Sequence, residues 1–174
     1  MSHIGLVCPP VPGHLNPMLA LGRELCRRSH RVTMFGIPDV AQHARDAGVE
    51  YKEFGRGEFP TGALAIFTGE LGKLSGTRAN IRWHQNDRRM AEVMCRDGIA
   101  TIGAAAVDGL IVDQMDPAGS SVADALGVPF VTLCGSLAVN WEPGVPPVYT
   151  SWTQRDASWA RMLDRAGFAL AKRA

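Results

Sequence analysis

The sequence has 174 residues, of which 46% are hydrophobic and 20% are charged, and its 18 basic side chains nearly cancel its 17 acidic ones. These values are ordinary for a globular domain and give no reason to expect a nucleic-acid partner. A chain of this length can bury one adequate hydrophobic core, so we predict a single domain over residues 1–174.

The apolar run Ile4–Cys8 predicts a first strand, buried on both faces and ended by two prolines. Asn16 then predicts the N-cap of a helix whose first residue is Pro17 and which extends to about Arg28. The same alternation continues along the chain. It predicts a strand at Val32–Gly36, a helix from Asp39 to Ala47 and Gly48, and a strand at Tyr51–Phe54.

Residues 55–76 contain six glycines among apolar side chains, which predicts a long binding loop or lid. The remaining segments again alternate. They predict a long helix from about Arg78 to Gly103, a strand at Leu110–Val112, a helix at Ala118–Leu126, a strand at Phe130–Leu133 and a helix from about Asp156. This order predicts a single doubly wound, Rossmann-like α/β domain with a parallel sheet and helices on both faces.

The cysteines and the apolar segments bear on the cellular location. The four cysteines are widely spaced and lack a histidine at metal-ligand spacing: Cys8, Cys26, Cys95 and Cys134. We therefore expect reduced thiols, no metal site and a cytoplasmic protein. The start of the chain lacks the pattern of a signal peptide, and the most apolar window, residues 99–112, is interrupted by Asp108 and is too short to span a membrane.

Polar residues follow three of the predicted strands, at the edge where ligands bind to such sheets. They lie in the loops 13–16, 113–116 and 135–136. A histidine beside a carboxylate forms a general base, so we predict His14 as the base and Asp113 as its partner, with Asp116 as the competing choice. From the spacing alone, a His14 that only hydrogen-bonds within a tight turn is an equally good interpretation.

Three segments, Pro10–Pro17, Val112–Gly119 and Ala125–Val131, resemble the N-terminal domain of family-1 glycosyltransferases of the GT-B fold. The resemblance covers essentially the whole chain. Within that family, the segment Asn140–Pro147 is most similar to bacterial enzymes of the carotenoid or zeaxanthin glucosyltransferase type and of the macrolide glycosyltransferase type.

The resemblance implies that residues 1–174 are an acceptor-binding domain and that the donor-binding C-terminal domain is absent. It implies inverting transfer of a sugar from a nucleotide sugar such as UDP-glucose to a hydroxyl of a small, hydrophobic acceptor. His14 would be the general base, supported by Asp113, and neither a metal nor a cofactor is implied. The missing domain would hold most of the nucleotide sugar, so this chain alone should be inactive.

Further contacts with the acceptor are expected from residues that flank the predicted cleft. The candidates are Gly13, Asn16, Phe67, Trp83, Met90, Asp116, Gly135, Ser136 and Trp141. For each apolar member, ordinary core packing is the simpler interpretation.

The last predicted helix carries an apolar stripe that consists of Trp159, Leu163, Ala166 and Leu170. Basic residues flank this stripe. Such a stripe usually packs on the protein's own sheet, but it is also compatible with peripheral contact with an anionic membrane.

Two other classes of protein are considered. One is a stand-alone, non-catalytic acceptor-binding subunit of a split glycosyltransferase. The length of the natural reading frame would distinguish this subunit from the acceptor-binding half of a longer enzyme. The other is a nicotinamide-binding Rossmann domain, which the turn after the first strand disfavours because it lacks the G-x-G-x-x-G pattern.

Overall fold

Five parallel strands form the sheet of the first of two units into which the chain divides, Met1–Ser136 and Leu137–Ala174. The computed structural model describes residues 1–136, 142, 144–147 and 150–171. The strands are β1 (His3–Val7), β2 (Arg31–Gly36), β3 (Glu50–Glu53), β4 (Gly109–Asp113) and β5 (Phe130–Leu133). Their order in the sheet is β3-β2-β1-β4-β5, and helices flank it. The predicted doubly wound α/β fold is confirmed, with each predicted strand end within one residue of its observed position.

The three central strands form the hydrophobic core because their side chains are apolar on both faces of the sheet. Leu6 in β1 pairs in register with Met34 in β2 and with Ile111 in β4. Leu6 and Met34 are fully buried, together with Met18 and Phe35. This buried centre places the carboxyl ends of β1 and β4 side by side.

The first helix, α1 (Pro12–Arg27), begins one turn earlier than predicted. Val11 is its N-cap in an extended conformation, and Pro12 occupies the first helical position, where a proline loses no helical hydrogen bond. Pro17 therefore lies inside the helix, and Asn16 does not cap it. The correction moves His14 from the residues before the helix into its first turn.

The predicted loop over residues 55–76 contains a helix, α3 (Ala63–Leu71). Its start is held by the carboxylate of Asp39, which accepts hydrogen bonds from the backbone N–H groups of Gly62 at 2.6 Å and Leu64 at 2.7 Å. Asp39 itself lies in a short 3₁₀ turn, Pro38–Val40, which precedes α2 (Ala41–Asp46). Asp39, which the sequence predicts as the cap of α2, therefore stabilises the start of α3.

The long helix predicted from Arg78 to Gly103 is present as three consecutive helical segments. They are α4 (Gly76–Val93), a π-helical turn (Met94–Gly98) and α5 (Ile99–Ala105). Helix α6 (Gly119–Leu126) then connects β4 to β5 and ends at Gly127, whose positive φ of 65° closes the helix.

The second unit contains α7 (Ser158–Ala171). Ala160 and Asp164, one turn apart, are buried, whereas Trp159, Leu163 and Ala166 of the predicted apolar stripe are exposed. The side chain of Leu170 lies outside the described residues. In the part of the chain that the structure describes, no helix combines the length and apolar character that crossing a membrane requires.

Candidate functional site

His14 and Asp113 meet at the carboxyl edge of the sheet. Asp113 is the last residue of β4, and His14 lies in the first turn of α1, which follows β1. Because β1 and β4 are neighbouring parallel strands, the ends of both reach the same edge. His14 Nδ1 lies 3.0 Å from Asp113 Oδ2, within hydrogen-bond distance.

The surroundings of Asp113 determine which nitrogen of His14 carries the proton. Asp113 is 1% exposed, and its Oδ1 accepts a hydrogen bond from the backbone N–H of Met115 at 2.8 Å. An ionised carboxylate only accepts hydrogen bonds, so Nδ1 of a neutral His14 donates to Oδ2 and Nε2 keeps its lone pair. Nε2 has no hydrogen-bond partner among the described residues, and 20% of the His14 side chain is exposed. A molecule from outside can therefore deliver a proton to this nitrogen.

Asp116, the competing choice, has a different set of partners. Its Oδ1 accepts hydrogen bonds from the backbone N–H groups of Ala118 at 3.1 Å and Gly119 at 2.6 Å, at the start of α6. Burial raises the pKa of Asp116 to about 6, the two backbone hydrogen bonds oppose this, and the nearby charge of Asp113 adds to it. The geometry thus pairs His14 with Asp113 and leaves Asp116 to hold the helix.

Several predicted acceptor-binding residues lie around this pair. A Cβ atom at Gly135 would be 3.5 Å from Asp113 Oδ2, so this glycine closely approaches the carboxylate. Ser136 Oγ accepts a hydrogen bond from Gln114 Nε2 at 3.1 Å. Gly13 and Asn16 are exposed on either side of His14 in α1. The loops after β1, β4 and β5 therefore converge at one edge of the sheet.

The apolar residues predicted to bind the acceptor have other contacts where the structure describes them. Met90 is buried and lines a cavity of about 10 Å³ together with Cys8 and Asp116, a volume near that of one water molecule. Phe67 and Trp83 pack against each other, with ring centroids 5.8 Å apart, where α3 meets α4. Trp141 lies outside the described residues. Met90 is therefore a core residue that lies near Asp116. Phe67 and Trp83 pack α3 against α4.

The structure adds two features that the sequence did not single out. The backbone N–H of Met115 fixes Asp113, and Gln114 connects the loops after β4 and β5. The spacing of Asp113 and Met115 is that of an Asx turn, which is a recognisable local signal. Among the described residues, no group of three or more His, Cys, Asp or Glu side chains could hold a metal ion.

Comparison with known proteins gives the class of this chain. No family model matches it. It is 33% identical over 146 residues to the zeaxanthin glucosyltransferase of Pantoea ananas and 36% identical over 147 residues to that of Pseudescherichia vulneris. Each alignment covers 84% of this chain and 34% of the relative, so the chain spans about a third of the length of the curated relatives it matches.

Among solved structures, the glycotransferase of kitacinnamycin superposes on 79% of this chain with a TM-score of 0.60 and 24% identity, and the match covers 31% of that chain. The parallel sheet and the sequence relatives indicate the same class of protein, the glycosyltransferases. The chain is homologous to glycosyltransferases and folds like one Rossmann-like half of the GT-B architecture. The two relatives at 33% and 36% identity are zeaxanthin glucosyltransferases, and the predicted resemblance to that type is confirmed.

Proposed function

We propose that this chain is the acceptor-binding half of an inverting glycosyltransferase in which His14 is the general base. The observation that carries the proposal is the 3.0 Å contact between His14 Nδ1 and Asp113 Oδ2 at the carboxyl ends of adjacent strands. This arrangement orients the ring and leaves Nε2 available to a substrate, as a general base requires.

The reaction follows from these atoms. Nε2 of His14 removes the proton of an acceptor hydroxyl, and the oxygen forms a bond to the anomeric carbon of the donor sugar. The bond between that carbon and the nucleotide diphosphate breaks on the opposite side, which inverts the configuration. Asp113 stabilises the imidazolium that forms, because its buried carboxylate already accepts the hydrogen bond from Nδ1.

The acceptor in this proposal is a small, hydrophobic molecule with a hydroxyl group, and the donor is a nucleotide sugar such as UDP-glucose. Support comes from the relatives, whose name describes the transfer of glucose to zeaxanthin. A second domain would hold most of the donor, in line with an alignment that covers only 34% of each relative. The four free cysteines agree with a reducing cytoplasm as the site of the reaction.

Two substitutions test the proposal in the protein that carries both domains. His14→Ala removes the base and should lower kcat by about 10²–10⁴-fold. Asp113→Asn should also lower kcat, because the amide cannot accept from both Nδ1 and the Met115 N–H. His43→Ala changes an exposed histidine on α2 and is the matched control. Unfolding midpoints are measured in parallel, and a folded His14→Ala variant with normal turnover would refute the assignment of the base.

A further inference from the structure

Helix α7 exposes its large apolar side chains instead of burying them. Among its described residues, the two that are buried are a small one and an acidic one, Ala160 and Asp164. Trp159, Met162 and Leu163 are 56%, 69% and 46% exposed. A surface helix of a globular domain normally turns such side chains toward the core. The apolar face of α7 is therefore open to a partner.

The exposed side chains of α7 continue into the segment before the helix. Trp152, which is also exposed, lines one groove together with Trp159 and Leu163. The guanidinium carbon of Arg155 lies 5.4 Å from the ring centroid of Trp159, in a cation–π contact. Tryptophan is enriched where the apolar interior of a membrane meets water, because its ring is apolar and its N–H can donate a hydrogen bond. Trp152, Trp159, Met162 and Leu163 together form the α7 face.

The segment that carries the α7 face is basic, whereas the rest of the chain is slightly acidic. Residues 151–174 contain five basic and two acidic side chains, and residues 1–150 contain 13 basic and 15 acidic ones. One of the two acidic residues in the basic segment, Asp164, is buried. The cations exposed around the α7 face are Arg155, Arg161 and Arg165. A chain that is nearly neutral overall thus concentrates positive charge beside its exposed apolar helix.

We propose that the α7 face docks on an anionic lipid bilayer, with its apolar side chains among the lipid headgroups and the neighbouring arginines against the lipid phosphates. Amphipathic helices with tryptophan and leucine on one side and arginine beside them lie in the plane of such an interface. A second copy of the chain would bring the same positive charge to the contact, so the charge favours the anionic lipid over a dimer. The proposal does not depend on the proposed transfer reaction.

The first test is flotation of the full chain with two kinds of vesicle, pure phosphatidylcholine and an equal mixture of phosphatidylcholine and phosphatidylglycerol. We expect the partition coefficient to be at least about tenfold larger for the vesicles with phosphatidylglycerol. High salt should weaken this binding because it screens the charges. Equal partitioning into the two kinds of vesicle, or dimers of the chain with no vesicle binding, would overturn the proposal.

A pair of exposed residues tests the apolar part of the contact. Met162→Ser and Leu163→Ser, made together, remove apolar area from the α7 face and should lower the partition coefficient at least about tenfold. Ile66→Ser with Ile81→Ser makes a similar change at exposed positions on α3 and α4 and should leave it unchanged. Circular dichroism checks that both variants are folded. Vesicle binding that survives the change at Met162 and Leu163 would contradict docking through α7.

A single arginine tests the electrostatic part. Arg165→Gln should lower binding to the anionic vesicles by about fivefold, because it removes one cation near the lipid surface. Arg78→Gln changes an exposed arginine on α4 and should have no effect, so equal losses in the two variants would contradict the proposal. The protein that carries both domains should bind the anionic vesicles as the chain does. Loss of binding there would show that the second domain covers the α7 face, and would also overturn the proposal.

Discussion

Asp113 and Asp116 have identical side chains and follow the same strand, yet only one of them contacts His14. Asp113 ends β4 and stays within the sheet, whereas Asp116 lies beyond the turn in which its own N–H donates to the Asp113 carbonyl at 3.0 Å. That turn directs the Asp116 carboxylate to the start of α6. Which aspartate contacts His14 and which one holds the start of α6 thus depends on one turn.

The raised pKa of Asp116 gives a prediction for stability against pH. Its pKa is about 6 in the folded protein and 3.8 ordinarily, so the folded state binds the proton more tightly. The free energy of unfolding should therefore fall as pH rises from about 4 to about 6, by up to roughly 3 kcal/mol from this group. Asp116→Asn removes the titration and keeps an oxygen for the backbone donors of α6.

Urea unfolding of both proteins at pH 4.5 and pH 7.5 tests this. The stability of Asp116→Asn relative to the parent protein should be greater at pH 7.5 than at pH 4.5. An unchanged difference at the two pH values would show that burial does not raise the pKa of Asp116.

At the scale of elements, α6 lies unusually close to the two strands that carry the site. A Cβ atom at Gly119 would be 2.7 Å from Val112 Cγ1 and 3.0 Å from both Val7 Cγ1 and Asp116 Oδ1. Valine side chains are stiff because they branch at Cβ, so they cannot rotate away easily. Glycine at this position lets the helix begin directly above β1 and β4.

Gly119→Ala should lower the free energy of unfolding by about 1–3 kcal/mol, because the added methyl group separates α6 from the strands. Gly69 is the matched control, since it is exposed within α3 and a Cβ there would meet no atom within 4 Å. Gly69→Ala should raise stability by about 0.5–1 kcal/mol, because alanine restricts the unfolded chain. Chemical denaturation measures both, and equal effects of the two substitutions would refute the close packing at Gly119.

At the scale of the whole molecule, the two units carry different surfaces. The first unit holds the His14–Asp113 pair, and α7 in the second unit exposes the apolar side chains of Trp159, Met162 and Leu163. Exposed apolar groups on one helix favour a partner or a lipid surface. The predicted peripheral contact with a membrane stays a prediction.

Because the alignments cover only 34% of each relative, we predict how the sugar-transfer activity depends on the rest of the enzyme. This chain alone should transfer no sugar, because the proposed function assigns the nucleotide sugar mainly to a second domain. The isolated chain and the protein with both domains are each incubated with labelled UDP-glucose and a hydroxylated carotenoid, and the products are separated by chromatography. Glucosylated product should form only with both domains present, and product from the chain alone would contradict that division of roles.

Local patterns predicted most of the architecture. The strands at Ile4–Cys8 and Phe130–Leu133 were predictable because short apolar runs bounded by prolines or glycines act over a few residues. Helix α3 was not, because its cap comes from Asp39, which lies 23 residues before Gly62 in the chain. The start of α1 was misplaced because both Pro12 and Pro17 suit a first helical position, and the extended conformation of Val11 decides between them.

The sequence by itself determined the alternation of strands and helices, the resemblance to GT-B glycosyltransferases, and the presence of His14, Asp113 and Asp116 after the strands. Only the tertiary structure decided which aspartate meets the histidine, since His14 and Asp113 are 99 residues apart. That contact exists because a crossover places β4 beside β1. The burial of Asp164 on α7 likewise arises from packing, which neighbouring residues in the sequence do not specify.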